Sequence, residues 1–137
     1  MSGSKLFVEN NSFERFLDKA ISIGEASSTL LRNNSFSSNR SAVTVKDASN
    51  ALLYSNIYSQ NEFRLEMYTK KAIFDAPNAF IFDEVFGDKE ISLSSESNLN
   101  WLDEDREGLN TIKNISFEKD FDVLFDDYLR FQWREYN

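Results

Sequence analysis

The 137-residue sequence contains no histidine and no cysteine. The first absence removes the commonest general base, the commonest metal ligand and every nucleophile pair that depends on imidazole. The second excludes disulfides and thiolate chemistry, and the two together exclude ordinary zinc sites. Glycine and proline are scarce. Gly3, Gly24, Gly87 and Gly108 are isolated, and Pro77 stands alone. No P-loop or dinucleotide fingerprint can be built from such spacing, and so little turn material argues against a multi-turn β-sandwich. No apolar run approaches the roughly eighteen residues of a membrane span, and the opening Met1–Glu9 stretch lacks the apolar region of a secretory signal. These absences predict a soluble cytoplasmic protein with no cofactor, no metal and no membrane partner. The Asn-x-Ser triplets at Asn10, Asn33, Asn39 and Asn114 then carry no glycosylation meaning.

Rings and acids are plentiful. Aromatic residues make up 15% of the chain, with thirteen phenylalanines, which points to a core built from rings. The length fits a single domain, 1–137. The net charge of −8 is unevenly spread: residues 1–74 carry a net +2 and residues 75–137 a net −10. Phosphate-backbone binding needs Lys and Arg to displace counterions, so the acidic half argues against direct nucleic-acid binding. It favours a basic protein partner, or only a solvated surface.

Along the chain, Leu6-Phe7-Val8 reads as a short edge strand. Phe13, Phe16, Leu17, Ala20, Ile21 and Ile23 recur at helical spacing behind Asn11 or Ser12, and predict a helix over 12–23 with a weaker continuation to residue 32. Residues 33–41 read as a polar loop pinned by Phe36, and Ala42–Val45 as a short strand. Ala48–Tyr58 reads as a helix, with a strand as the alternative. Phe63, Leu65 and Met67 alternate with polar residues as in a half-buried strand. Ala79–Phe82, Ile91–Leu93 and Leu99–Leu102 complete an antiparallel meander with turns at Asp75–Asn78 and Phe86–Lys89. No internal repeat is evident. From Ile115 onward, Phe117, Phe121, Leu124, Phe125, Tyr128 and Phe131 form one apolar stripe of a C-terminal helix. The expected fold is α+β: an antiparallel sheet of four to five strands with N-terminal and C-terminal helices packed on it.

Carboxylates are the remaining candidates for chemistry, at Asp83-Glu84 and at Asp103-Glu104-Asp105. A pair of acids can hydrolyse a glycoside or hold a divalent ion. Adjacent acids in turns are more simply solvated, and the spacing matches no calcium loop. No catalytic residue is assigned. Trp101, Trp133, Tyr128 and Tyr136 are read either as core and rim or as a protein-binding patch.

The run Ala79-Phe-Ile-Phe-Asp-Glu-Val-Phe-Gly-Asp-Lys-Glu-Ile-Ser-Leu-Ser resembles the strand–turn–strand of SUKH-superfamily immunity proteins. Asn100-Trp-Leu-Asp-Glu-Asp is similar to their later strand and charged turn, and Ile115-Ser-Phe-Glu-Lys-Asp-Phe to the start of their closing helix. The resemblance spans residues 79–131; the N-terminal half departs from the pattern. It implies an α+β fold and a role in neutralising a toxin, often a nuclease, by direct binding.

The expected function is therefore a non-enzymatic acidic inhibitor that occludes a basic partner such as a nuclease. Asp103, Glu104, Asp105, Glu107, Asp122, Asp126 and Asp127 would face the partner, with Trp101 and Trp133 as anchors. The alternatives are a structural or assembly subunit of a larger complex or virion, as a homo-oligomer, and a small carboxylate enzyme.

Overall fold

Four segments of similar length lie one above another. Lys5 pairs with Ser28, Ser28 with Asn50, Asn50 with Asn78 and Asn78 with Asn98, every pair parallel. The computed structural model describes residues 3–71, 73–82, 84, 90–94 and 96–101, all within the unit Met1–Trp101. These residues form a parallel β-solenoid with three sheets. The first contains β1 (Lys5–Glu9), β4 (Ser28–Arg32), β7 (Asn50–Tyr54), β10 (Asn78–Phe82) and β12 (Asn98–Trp101) in that spatial order. The second contains β2 (Ser12–Glu14), β5 (Ser35–Ser37) and β8 (Ile57–Ser59). The third contains β3 (Lys19–Ile23), β6 (Ser41–Lys46), β9 (Phe63–Tyr68) and β11 (Ile91–Leu93).

Each of the first three coils turns three corners, and two of them are built around asparagine. At the first corner the Asn11 backbone N–H donates to Asn34 Oδ1 at 3.0 Å, and the Asn34 N–H to Asn56 Oδ1 at 2.9 Å. Asn34 and Asn56 also donate through Nδ2 to the carbonyls of Val8 and Leu31, each at 3.0 Å. At the second corner, Phe16 and Asn39 donate their N–H groups to Asn39 and Asn61. At the third, Ser27 and Ser49 hydroxyls accept the N–H groups of Ser4 and Ser27. A corner buried against its neighbours cannot leave its backbone groups to water, so a short side chain that both accepts and donates closes the account. The residues before or within these corners take positive φ: Asn10, Asn33 and Ser55 at the first, Arg15, Ser38 and Gln60 at the second, Glu25, Ala26, Asp47 and Ala48 at the third.

Between corners, inward side chains stack in register. Phe36 lies between Phe13 and Tyr58 with ring centroids 5.1 and 5.4 Å apart and planes within 12°. Leu31, Leu53 and Ile81 form one aliphatic ladder; Ile21, Val43 and Leu65 another; Ile23, Val45 and Met67 a third, all in one buried cluster. A second row on the first sheet alternates with this cluster, and Leu30, Leu52, Phe80 and Phe82 in it are also buried.

This architecture overturns the α+β expectation. Among the described residues there is no helix: 12–32 forms β2, β3 and β4, and Ala48–Tyr58 holds β7 and β8. The polar loop of residues 33–41 contains β5 and two corners, with Phe36 buried as expected. The strands at Leu6–Val8, Ala42–Val45, Phe63–Met67, Ala79–Phe82, Ile91–Leu93 and Leu99–Trp101 are present, but their pairing is parallel, not an antiparallel meander. An internal repeat exists after all, with steps of 23 and 22 residues. The C-terminal helix from Ile115 lies outside the described residues.

Candidate functional site

The first coil supplies the terminal strand of every sheet. β1, β2 and β3 each have a hydrogen-bonded neighbour on one side, namely β4, β5 and β6. Ile21 and Ile23 of this coil are buried, but Val8, Phe13 and Ala20 only partly join the core. Leu6, Phe16 and Leu17 are 37%, 44% and 94% exposed. Strand edges of this kind present a row of main-chain donors and acceptors to any chain that can add a strand. Charge along the coil is close to balanced, with Lys5, Arg15 and Lys19 against Glu9, Glu14 and Asp18, and with Glu25 at the third corner paired to Lys71. Some of it is internally paired. Arg32 donates to Glu9 at 2.8 Å, and Lys19 contacts Asp18 at 2.9 Å. The Lys19 hydrogen bond holds the Asp18 carboxyl below its ordinary range, and the same bond raises Lys19. Asp18 is well exposed to solvent and Lys19 only partly covered, so the pair shapes the charge pattern more than the stability.

A second feature interrupts the repeat. The third corner is three residues long between β6 and β7 and four between β3 and β4, but nine between β9 and β10, residues 69–77. Asp47, almost fully buried, pins the start of this longer loop: its Oδ1 accepts the backbone N–H of Lys70 at 2.7 Å and of Lys71 at 2.9 Å. Lys71 reaches across to an ion pair with Glu25, which raises the lysine pKa. The corner encloses an open cavity of ≈ 270 Å³ lined by Ser22, Gly24, Glu25, Lys46, Asp47, Lys70 and Lys71.

Of the residues expected to form a binding surface, Trp101 is described. It ends β12, pairs with Ile81 and is 48% exposed. Asp103, Glu104, Asp105, Glu107, Asp122, Asp126, Asp127 and Trp133 lie outside the described residues, as does Asp83. Glu84 has a structural task. It occupies the position above Asn56 in the first corner, where its Oε2 accepts both the N–H and the Nδ2 of Asn56, and its Oε1 accepts the Tyr58 hydroxyl at 2.8 Å. Among the described residues no group of three or more acidic side chains is placed to hold a metal ion, and no helix is long and apolar enough to cross a membrane. Sequence reasoning missed the first-coil edge and the cavity. The signal for both was the asparagine repeat, because only the repeat reveals which coil is terminal and which corner is overlong.

A family model described as a right-handed β-helix region matches residues 1–80. No curated protein and no solved structure matches the chain. The match replaces the SUKH resemblance, and the topology gives the reason. Ala79–Phe82 and Ile91–Leu93, expected as a strand–turn–strand unit, belong to different sheets and pair in parallel with other coils.

Proposed function

Because the chain belongs to the right-handed β-helix family, we propose that it is a non-catalytic assembly subunit whose first coil docks on the first coil of a second copy. The observation that carries this reading is that three exposed apolar side chains, Leu6, Phe16 and Leu17, lie on the coil that holds all three terminal strands. A two-fold contact is self-complementary by construction. The balanced charge of this coil lets two copies approach without net repulsion, and an aromatic and aliphatic centre with a charged rim is the usual anatomy of such a contact. The sequence offers no histidine or cysteine for catalysis, and Glu84 is occupied in holding a corner. Sedimentation of the whole chain over a range of concentrations tests the proposal. It predicts a reversible dimer that the double variant Phe16→Glu, Leu17→Glu converts to monomer with an unchanged circular dichroism spectrum. A wild-type monomer at all concentrations would overturn it.

A second reading is favoured by the net −10 of residues 75–137. In it, Asp103, Glu104, Asp105, Glu107, Asp122, Asp126 and Asp127, with Trp101 and Trp133, engage a basic protein such as a nuclease and block its nucleic-acid channel. Opposite potentials would then speed association, and added salt would slow it steeply. Association with a candidate nuclease at a rate indifferent to salt would contradict this reading.

A further inference from the structure

The cavity at the third corner is built by a loop that is overlong against the corners below it, and in solenoid proteins such insertions tend to gather on the binding face. Its carboxylates are engaged. Asp47 Oδ1 accepts two backbone N–H groups, and Glu25 is paired with Lys71. Lys46 and Lys70 also line it, and neither has an ion-pair partner among the described residues. Ser22 adds a hydroxyl, and Gly24 leaves part of the wall without a side chain. The lining therefore offers two uncommitted ammonium groups and a hydroxyl, with a formal balance of three lysines against two acids. A volume of ≈ 270 Å³ exceeds what a water or a lone chloride fills.

We propose that this cavity is a binding site for a tetrahedral oxyanion, the sulfate or phosphate group of a ligand. Lysine serves as a flexible point charge for such groups, and two lysines lining one cavity suit an anion that presents several acceptor oxygens. Pinning of the loop through buried Asp47 means that the site is formed before the anion arrives, so little ordering opposes binding. The site shares Ser22, Gly24 and Glu25 with the first coil but uses none of Leu6, Phe16 or Leu17, so the variants that test the dimer contact leave its lining unchanged.

Amide chemical shifts of the full chain, titrated with sodium sulfate, sodium phosphate and, at matched ionic strength, sodium acetate, test the proposal. Saturable shifts are expected at Ser22, Gly24, Lys46, Asp47, Lys70 and Lys71 with the two tetrahedral anions and not with acetate. Lys70→Gln, at an exposed position, should weaken binding roughly tenfold, as expected for loss of one charge-assisted bond. Lys46→Gln, Lys70→Gln together should abolish saturation, while Lys19→Gln, away from the cavity, leaves it unchanged. Sulfate and phosphate monoesters of one sugar then separate the two sources by relative affinity. Absence of saturable shifts at these residues, equal shifts with acetate, or wild-type affinity in Lys70→Gln with the remaining spectrum intact would each overturn the proposal.

Discussion

Asn56 Oδ1 accepts both the backbone N–H and the side-chain Nδ2 of Asn34, at 2.9 and 3.0 Å, across a step of 22 residues. This contact ties one coil to the next at a corner where both residues are buried. Asn56 in turn donates to the Leu31 carbonyl at 3.0 Å. Replacing Asn56 with Ala strands the buried Asn34 N–H and the buried Leu31 carbonyl, and leaves the Asn34 amide only its bond to Val8. Each unsatisfied group costs about 1–3 kcal/mol, and relaxation of the corner recovers part of the sum. Asn56→Ala is expected to lower the urea midpoint by the equivalent of about 3 kcal/mol, whereas Asn11→Ala, at an exposed corner, should cost less than half of that.

Phe36 is fully buried between two rings. Phe36→Ala should destabilise by about 3–5 kcal/mol through the lost transfer energy and the cavity it leaves. Phe36→Leu keeps most of the volume and loses the stacking, so a loss of about 1–2 kcal/mol is expected. Chemical denaturation of the two variants separates volume from ring contact.

Thr29 is fully buried, and its hydroxyl has no hydrogen-bond partner among the described residues. An unpaired buried hydroxyl is a cost that an isosteric methyl removes. Thr29→Val should therefore stabilise the solenoid by about 1 kcal/mol, measurable as a rise in melting temperature. A fall would mean that the hydroxyl has a partner.

The Tyr58 phenol is pushed well above its ordinary 10.0, by burial first and then by the neighbouring Glu84 carboxylate. Its folded-state pKa exceeds the unfolded one, so the folded state holds the proton more tightly. The folded and unfolded chains carry the same phenol proton below pH 10, and stability drains away as pH rises above it. Tyr58→Phe loses the bond to Glu84 and should be less stable at neutral pH. It should also lack this alkaline decline, so that the gap between variant and wild type narrows on going from about pH 9 to about pH 11. Urea midpoints at several alkaline pH values check the sign.

The strands that alternate cleanly, Phe63–Met67 and Ile91–Leu93, were legible, as was the continuous apolar run Ala79–Phe82. The first thirty residues were not, because corners corrupt the periodicity. Phe16 and Leu17 are exposed corner residues, yet they fall at helical spacing with the inward residues Phe13, Ala20 and Ile21 and complete a false stripe. The repeat itself lay in polar residues. Asn10-Asn11-Ser12-Phe13 recurs as Asn33-Asn34-Ser35-Phe36, and Ser55-Asn56-Ile57-Tyr58 follows; read as chance Asn-x-Ser triplets, a polar loop and the end of a helix, these segments concealed the corner ladders. Glycine scarcity misled for a related reason. Among the described residues ten non-glycine positions adopt the left-handed backbone conformation; Asn10, Asn33 and Asp47 are of the types that tolerate it through local hydrogen bonding, and the others hold it without glycine. Of the candidate site, the charge asymmetry was visible in sequence. The first-coil edge was not, because a terminal coil exists only once the coils are recognised.

The backbone at those corners gives a further expectation. Gln60 has φ of 59°, so Gln60→Val should cost about 1–2 kcal/mol, while Gln60→Gly should be neutral or slightly stabilising, steric relief offsetting the added freedom of the unfolded chain. Melting temperatures of the two variants report the difference.

The first-coil contact can be read directly, because the chain has no cysteine of its own. Leu17→Cys and Leu93→Cys place single thiols on the first coil and on β11, at opposite ends of the third sheet. Mild oxidation of the purified protein is expected to convert Leu17→Cys to a disulfide-linked dimer at micromolar concentration and to leave Leu93→Cys monomeric. Equal cross-linking of both variants, or of neither, would contradict an assembly built through the first coil.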